Sequence, residues 1–378
     1  MDKKQKILVV SPTLSGGSWL VEEKLLARLN HKKISVYIAA LGRVYYPNKT
    51  YRYSILPYPH YDRWGRITEI HPIFNLIWNL PLIVLACFLV MYYRPKVVVY
   101  NGLPLALSIS PLCRLLKIRT VLMFHSYIAN YSKLTHAILS LFARAVDTAV
   151  VNSKGSFFDL ASIISQKKII INEHFAEEVF FKGPIRKKSS RTFTVFYVGR
   201  LDSDKLCYPL IQVAQKLAHD ARFKFVFAGV GEYAREIKRM VKESSNISYL
   251  HYLSNREMLK KMYQHADVLL SYADKTYLSM PAVEALTSGT PIIIPYIQPF
   301  GKDNDPSVRI GNDVVPKKIG WLIDPNNQNE IRNLLLTLYR RKISHQTRLD
   351  CRAYAKMRYS KKNQDSVLIK INSFFASD

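Results

Sequence analysis

The sequence predicts an α/β protein built from two parallel-sheet halves. Strand and helix signals alternate from Ile7 to Ile171, a polar and basic stretch at 176–192 interrupts them, and a second alternating series begins at Thr194. This alternation is typical of βαβ units. Each half is therefore expected to be a Rossmann-like α/β/α layer structure, and the two halves are expected to face each other across a cleft that binds a small molecule.

The first half is predicted to span residues 1–178. Residues 43–66 have no clear period and are expected to hold at most one strand. The predicted strands are Ile7–Pro12, Ile34–Leu41, Val97–Tyr100, Thr120–Phe124, Thr148–Val151 and Ile169–Ile171, and the helices are Trp19–Leu29, Leu105–Leu116, Ser132–Phe142 and Ser156–Ile164.

The second half is predicted to span residues 192–360, with a closing helix in 361–378 that packs back on the first half. The predicted strands are Thr194–Val198, Phe223–Ala228, Ile247–Tyr252, Val268–Tyr272, Ile292–Pro295 and Gly320–Ile323, and the helices are Leu206–His219, Tyr233–Lys242, Arg256–Gln264, Gln328–Arg340 and Lys361–Phe375.

Composition narrows the class of protein. The four cysteines, Cys87, Cys113, Cys207 and Cys351, are scattered without a CxxC pair, which argues against a disulfide framework or a zinc site. We interpret them as reduced core thiols of a cytoplasmic protein. The run MDKKQKILVVSP is too short and strand-like for a signal peptide.

Charge points to anionic partners. The chain of 378 residues has 55 Lys and Arg against 28 Asp and Glu, a net charge of +27. Such a field attracts nucleic acid, anionic membranes and phosphorylated substrates. The denser runs at Arg186–Arg191 and Arg340–Lys362 match no nucleic-acid-binding motif, so nucleic acid is the least favoured partner.

The segment Ile73–Tyr93 contains no charged residue. Its continuous apolar part, Leu80–Tyr93, is shorter than a membrane span requires. Two interpretations stay open: a helix packed on the first sheet with an apolar edge that touches an anionic membrane, and a fully buried core helix. Either is favoured over a span, so peripheral attachment to the cytoplasmic membrane face is the open alternative for location.

The stretch Thr276–Pro295 predicts a loop, a short helix and a buried strand. Ser279 suits the helix cap, Pro281 the first turn, and Gly289 the position past the helix end. Glu284 is the one acid of this helix. A loop that delivers backbone N–H groups and a carboxylate to one place is a candidate ligand site, although an acid early in a helix also has a purely structural explanation.

Two further turns follow strands of the second half. In FYVGRLDSDK, Arg200 and Lys205 flank a strand-to-helix turn, where a lysine opposes the helix dipole unless an anion binds. The alternative is a local pair of Lys205 with an aspartate of the same turn. The turn AGVGEY contains Gly231 and lies at the same carboxyl edge of the sheet, where open α/β sheets bind ligands.

The first half offers weaker candidates. Gly16 and Gly17 separate the first strand from the first helix, as glycines do where a ligand approaches the backbone, but the GxGxxG pattern is incomplete. His125 ends the strand VLMFH at the carboxyl edge of its sheet. A lone histidine at such a place is more often structural than catalytic.

The motifs VGRLDSDK, AGVGEY and SMPAVEALTSGTPIII, in this order and spacing, resemble family 4 retaining glycosyltransferases of the GT-B fold. The resemblance covers nearly the whole chain and is strongest from Phe193 to Pro325. It implies transfer of a sugar from a nucleotide-sugar to an acceptor hydroxyl, with retention of configuration and without an essential metal. No cofactor is implied, because the UDP- or GDP-sugar is a substrate.

The resemblance also implies roles for individual residues. Arg200 and Lys205 would hold the donor diphosphate, Glu284 the ribose, and His125 the transferred sugar; these four are the candidate catalytic residues. The remaining candidate donor-binding residues are Gly16, Gly17, Gly231, Ser279, Met280 and Pro281. The implied partners are a nucleotide-sugar and a glycan or lipid-linked acceptor.

One position departs from the family pattern. The family usually carries a glutamate eight positions before the one that Glu284 matches, and this chain has Thr276 there. Because the missing glutamate normally helps to hold the transferred sugar, a non-catalytic GT-B protein that binds nucleotide-sugar or glycan is the alternative interpretation.

Overall fold

The computed structural model divides the chain into two compact units, Met1–Glu173 with Gln364–Asp378, and His174–Asn363. It describes residues 4–12, 14, 19, 22–23, 26–41, 48–56, 77–124, 133–152, 154–185, 192–202, 207–253, 255–271, 278–295, 316, 318–324, 326–360, 365, 368–369 and 373.

The first unit contains a seven-stranded sheet in which all paired strands run parallel. Its strand order is β3-β2-β1-β4-β5-β6-β7. The strands are β1 (Gln5–Ser11), β2 (Ile34–Leu41), β3 (Arg52–Leu56), β4 (Val97–Asn101), β5 (Arg119–Phe124), β6 (Thr148–Val151) and β7 (Ile169–Ile171). Runs such as ILVV in β1 are buried throughout, as expected of a strand covered on both faces.

Helices connect these strands and cover the sheet. They are α1 (Leu80–Tyr93), α2 (Leu103–Leu115), α3 (Lys133–Ala143) and α4 (Lys154–Leu160), and a 3₁₀ turn at Gln166–Lys168 leads into β7. The residues described between Trp19 and Leu26 are helical and pack on the other face of the sheet with Leu368. The unit therefore has the predicted α/β/α layers.

Helix α1 forms within the charge-free segment. Its Leu82, Ala86 and Val90 are buried in the core of the first unit. Among the described residues, no helix combines the length and the apolar character needed to cross a bilayer. Residues 73–76 lie outside the described part of the chain.

The second unit contains a six-stranded parallel sheet of order β10-β9-β8-β11-β12-β13. Its strands are β8 (Phe193–Val198), β9 (Phe223–Ala228), β10 (Ile247–Leu250), β11 (Val268–Leu270), β12 (Ile292–Pro295) and β13 (Gly320–Ile323). Its helices are α5 (Glu178–Phe181), α6 (Cys207–Lys216), α7 (Ala234–Glu243), α8 (Arg256–His265), α9 (Met280–Thr287), α10 (Gln328–Arg341) and α11 (His345–Tyr359).

Two apolar clusters cover the two faces of this sheet, one with α6, α7 and α10 and the other with α5, α8, α9 and α11. Helix α9 lies inside the second cluster, and every residue of it except Pro281 is buried. Any charged side chain of α9 that faces inward therefore needs a partner.

Helix α11 was not predicted from the sequence. The buried positions of this helix have helical spacing, but three of the four are not aliphatic: they are Arg348, Cys351, Ala355 and Tyr359. The Arg348 guanidinium donates to the carbonyl of Ala266 at 2.8 Å and pairs with Asp267 at 3.4 Å. Burial of this arginine is compensated by partners far away in the sequence, which a pattern of hydrophobic residues cannot show.

All four cysteines are free. Cys113, Cys207 and Cys351 are buried as predicted for core thiols, whereas Cys87 is only half-buried.

Candidate functional site

The strand order of the second sheet reverses between β8 and β11. From β8 the chain proceeds to β9 and β10 on one side, then returns to β11, β12 and β13 on the other. Ligands of open α/β sheets bind where the order reverses, outside the carboxyl ends of the strands. The residues that follow β8, β9 and β11 therefore define the candidate site of this unit.

The turns after β8 and β9 are packed directly on each other. Leu201 N–H donates to the carbonyl of Val230 at 2.8 Å, and Gly199 N–H donates to the carbonyl of Ala228 at 3.0 Å. A Cβ at Gly229 would lie 1.8 Å from the Gly199 oxygen, and one at Gly231 would lie 2.5 Å from the carbonyl carbon of Leu201. Glycine at both positions is thus required by the approach of two backbones.

Arg200 extends from this pair of turns. Its backbone carbonyl accepts a hydrogen bond from the Tyr197 hydroxyl at 2.7 Å, while its side chain is 49% exposed. Nη1 lies 3.0 Å from Oδ2 of Asp202, and Oδ1 of Asp202 accepts from the Glu232 N–H at 3.0 Å. The aspartate holds the two turns together and leaves the arginine facing solvent.

The start of α9 lies beyond the neighbouring strand β11. Ser279 is the helix cap and its Oγ accepts from Ala282 N–H at 3.3 Å, as predicted. The same Oγ lies 2.6 Å from Oγ of Ser271, the residue that follows β11. Pro281 occupies the first turn and Gly289 follows the helix with a φ of 86°, both as predicted. This contact places the first turn of α9 at the carboxyl edge of the sheet.

Glu284 is buried in a polar network on the same helix. Its Oε1 accepts a charge-assisted hydrogen bond from Arg256 Nη2, and its Oε2 accepts from the Tyr263 hydroxyl at 3.0 Å. Arg256 also pairs with Oε1 of Glu177 at 2.8 Å, and its guanidinium lies 4.9 Å from the ring centre of Phe180. The network joins α8, α9 and the segment before α5.

The charges of this network support one another. Burial alone would lower the pKa of Arg256, but the negative charges of Glu284 and Glu177 outweigh it and raise the pKa above its ordinary value. Burial, and then the charge of Glu284, raise the pKa of Tyr263 well above its ordinary value. The stable state is thus a carboxylate held by a guanidinium and a neutral phenol.

The structure brings together part of the predicted site. Arg200 and Gly231 meet in the paired turns, and Ser279, Met280, Pro281 and Glu284 share one helix. The other predicted residues, Gly16, Gly17, His125 and Lys205, lie outside the described residues, as does Thr276. No group of three or more His, Cys, Asp and Glu side chains with metal-binding geometry occurs in the described part of the chain.

Three residues of the network were missed by sequence reasoning: Glu177, Arg256 and Tyr263. A signal for Arg256 was present, because it is the first residue of α8, directly after the cap Asn255. A cation at a helix N-terminus opposes the dipole, the argument already applied to Lys205. Here the favourable partner is an acid on the next helix, and no local pattern indicates it.

Comparison with known protein families gives a match that lies within the second unit. Residues 179–358 match the family model described as "Glycosyl transferases group 1". An uncharacterized glycosyltransferase of Methanocaldococcus jannaschii is 28% identical over 127 residues, 33% of this chain and 32% of the relative. The matched stretch thus spans about a third of the length of that curated relative.

Solved structures resemble the protein over its whole length. Anabaena HepE, solved in complex with UDP and glucose, matches with a TM-score of 0.69 at 13% identity over 100% of each chain. Sucrose-phosphate synthase of Thermosynechococcus elongatus matches at 0.72 and 14% identity, over 99% of this chain and 98% of that one. WaaG, a glycosyltransferase involved in lipopolysaccharide biosynthesis, matches at 0.64 and 13%, over 96% and 98%.

Because the identities are only 13–14%, these matches show a similar fold and no more. The two parallel-sheet α/β units correspond to the domains of GT-B glycosyltransferases, which confirms the predicted fold class. The family match, in contrast, concerns the sequence of one unit and includes both the paired turns and α9. In sequence, residues 179–358 of this chain are similar to the glycosyl transferases group 1 family.

Proposed function

We propose that the protein is a glycosyltransferase that moves a sugar from a nucleotide-sugar to an acceptor hydroxyl. The observation that carries the proposal is the pair of glycine turns beside the first turn of α9, at the order reversal of the second sheet and within the matched domain. Turns of this kind let a diphosphate approach backbone N–H groups and the positive end of a helix dipole.

Arg200 and Lys205 are proposed to bind the donor diphosphate. Arg200 is half-exposed, and its charge is only partly offset by Asp202. A guanidinium matches phosphate oxygens, and two cations at this turn would neutralise the charge that develops on the departing nucleoside diphosphate. We propose that this stabilisation drives the reaction without an essential divalent metal, and that transfer retains the anomeric configuration, as the resemblance implies.

The remaining roles follow the same resemblance. The backbone at Ser279, Met280 and Pro281 is proposed to meet the phosphates or the sugar, and Glu284 the ribose. In the first unit, Gly16 and Gly17 are proposed to approach the diphosphate, and His125 the transferred sugar. The donor is proposed to be a UDP-sugar, because HepE was solved with UDP and with UDP-glucose.

Calorimetric titration with UDP and GDP tests the nucleotide site. We expect UDP to bind more tightly than GDP, and Arg200→Met to weaken UDP binding by about 10-fold to 100-fold, the value of a charge-assisted contact. Lys224→Met is the matched control, since Lys224 is exposed near the opposite end of β9 and its loss changes the net charge equally. Absence of nucleotide binding, or equal loss in both variants, would contradict the proposal.

Transfer is tested with a panel of UDP-sugars, a membrane lipid extract as acceptor, and the release of UDP as the signal. We expect release to require both donor and extract, to persist in EDTA, and to fall in His125→Ala with little change in UDP affinity. The configuration of the product, from NMR coupling constants, tests retention. UDP binding without transfer to any acceptor would instead support the non-catalytic alternative.

A further inference from the structure

A stripe of large apolar side chains runs along the outer face of α1 and the turn before it. Each of its members is between 55% and 70% exposed. The members, which we call the apolar stripe, are Ile77, Leu80, Val84, Phe88, Met91 and Tyr92. The first five recur every three or four residues, and Tyr92 follows Phe88 by four, so all six share one face of the helix.

The opposite face of α1 is firmly anchored. Leu82, Ile83, Ala86, Leu89 and Val90 are buried in the core of the first unit. The exposure of the stripe is therefore a property of a packed helix, not of a loosely attached one. A contiguous apolar surface of this kind on a soluble domain marks an interaction site.

A row of basic residues lies at one edge of the first sheet. Because all seven strands run parallel, the segments that lead into them meet at the same edge. Every one of these segments carries lysine or arginine, and among their described residues Asp147 is the one acid. The residues, which we call the basic rim, are Lys4, Lys6, Lys32, Lys33, Lys49, Arg52, Arg94, Lys96, Lys117, Arg119, Arg144, Lys167 and Lys168.

The apolar stripe ends at the basic rim. Nζ of Lys6 donates to the carbonyl of Tyr93, the last residue of α1, at 3.3 Å, and lies 5.6 Å from the centre of its ring. Lys96 N–H donates to the carbonyl of Lys6 at 2.9 Å, and Arg119 N–H to that of Lys96 at 3.2 Å. The rim thus continues from the end of α1 across the starts of β1, β4 and β5.

Other helix ends add apolar side chains to the same edge. Helices α1, α2 and α3 pack side by side. Leu115 at the end of α2 is 79% exposed, and Leu141 and Phe142 near the end of α3 are also exposed. Apolar and cationic side chains therefore alternate where the three helices end.

We propose that the apolar stripe and the basic rim form one docking surface for an anionic lipid bilayer, with the stripe buried among the acyl chains and the rim against the headgroups. A peripheral helix binds membranes by this combination of apolar area and cationic charge. The choice of a bilayer over a protein partner rests on charge. The rim extends along seven strand starts, whose described residues include one acid, and this distribution suits an extended anionic surface.

This proposal extends the proposed function, because it would place the enzyme where lipid-linked acceptors reside. It does not depend on the donor site, since vesicle binding requires neither nucleotide nor turnover. Failure of vesicle binding and failure of UDP binding are therefore separate results.

The test is co-sedimentation with phosphatidylcholine vesicles, with and without replacement of about a third of the lipid by phosphatidylglycerol, an anionic content like that of natural membranes. We expect strong binding only to the anionic vesicles. A Val84→Glu, Phe88→Glu variant is expected to lose at least about 10-fold in affinity, because two charges would have to enter the apolar layer. A circular dichroism spectrum and a thermal unfolding midpoint equal to those of the wild type will show that this variant is folded.

Charge specificity is tested with two triple variants of equal net charge. Arg119→Glu, Arg144→Glu and Lys167→Glu reverse three exposed positions of the rim, whereas Lys224→Glu, Arg235→Glu and Lys242→Glu reverse three exposed positions of the second unit. We expect the first variant to lose anionic vesicle binding and the second to keep it. Equal loss in both would show that the total charge of +27 is responsible and would overturn the proposed surface.

Insertion of the stripe is tested with Phe88→Trp. We expect its fluorescence to shift to the blue on addition of anionic vesicles, relative to the wild type with its four native tryptophans. No shift, or full vesicle binding by the Val84→Glu, Phe88→Glu variant, would overturn the proposal. So would a dimer in lipid-free buffer that dissociates in the same double variant, because the stripe would then be an interface between two copies of the chain.

Discussion

Arg256 and Glu284 form the central ion pair of the second unit. The guanidinium of Arg256 bonds the buried carboxylate of Glu284 on α9 and, on its other side, Glu177 at 2.8 Å. One side chain at the start of α8 thus connects three segments that are distant in the sequence. Because Arg256 compensates its charge, Glu284 can be buried on α9 among mostly apolar side chains.

Removal of the guanidinium is expected to destabilise the protein strongly. Arg256→Met removes the guanidinium that bonds the buried carboxylate of Glu284 and keeps the hydrogen bond from the Tyr263 hydroxyl. We expect the free energy of unfolding at pH 7 to fall by about 3 kcal/mol, toward the lower end of the range for a broken buried pair, because Arg256 is 30% exposed. Urea denaturation monitored by circular dichroism measures it.

The double variant Arg256→Met, Glu284→Gln is the control for this prediction. A neutral amide no longer requires a counter-charge, so the double variant is expected to be more stable than Arg256→Met alone. If the double variant is instead less stable than Arg256→Met, by the cost of Glu284→Gln alone, the destabilisation does not come from the charge of the Glu284 carboxylate.

Alkaline pH is expected to destabilise the protein partly through Tyr263. Its pKa is raised well above 10.0 in the folded state, so above about pH 10 the unfolded chain loses the phenolic proton while the folded chain retains it. The stabilisation that Tyr263 contributes is therefore complete below about pH 10 and is lost as the pH rises above it. Tyr263→Phe should make the decline of unfolding free energy shallower by about 1.4 kcal/mol per pH unit.

This is measured by urea denaturation between about pH 8 and pH 11. At pH 7 the same variant should cost about 1–2 kcal/mol, because Glu284 loses a hydrogen bond. An identical alkaline slope in both proteins would show that Tyr263 ionises as readily when folded as when unfolded.

Gly229→Ala is expected to disrupt the paired turns. A Cβ there would lie 1.8 Å from the Gly199 carbonyl oxygen, so the backbone has to move, and we expect a loss of about 3 kcal/mol or more together with weaker UDP binding. Gly183→Ala is the matched control: the φ of Gly183 is also positive, at 81°, but an added Cβ would make only an ordinary contact, 4.0 Å from Nζ of Lys260.

For Gly183→Ala we expect only the conformational cost of about 1–2 kcal/mol, with UDP affinity unchanged. Equal effects of the two substitutions on stability and on UDP affinity would mean that backbone conformation, not the contact between the turns, governs this region.

Thiol reactivity is expected to distinguish Cys87 from the three buried cysteines. Burial raises the pKa of Cys113 to about 11 and that of Cys207 to about 12, and it raises that of Cys351 further. Since the thiolate is the reactive form, a chromogenic disulfide reagent at pH 7 should label only Cys87, slowly, and all four thiols after unfolding. Cys87→Ser should remove the native signal; a second thiol that reacts in that variant would disprove the burial pattern.

Local features of the candidate site follow from the sequence. Ser279, Pro281 and Gly289 are recognisable as the start and end of α9 because caps and turn residues act through the backbone of their own segment. The buried strands are recognisable for a similar reason, since burial on both faces requires continuous apolar runs. These features led to the predicted family and fold.

Relationships between distant segments were decided only by the tertiary structure. The strand order places the turns at Gly199 and Gly229 against each other, and the packing of α8 on α9 unites Arg256 with Glu284. Helix α11 likewise depends on partners of Arg348 that lie about eighty residues away. The sequence determines which segments form helices and strands through short-range preferences, but the compensation of buried charge and the close approach of backbones depend on which segments become neighbours.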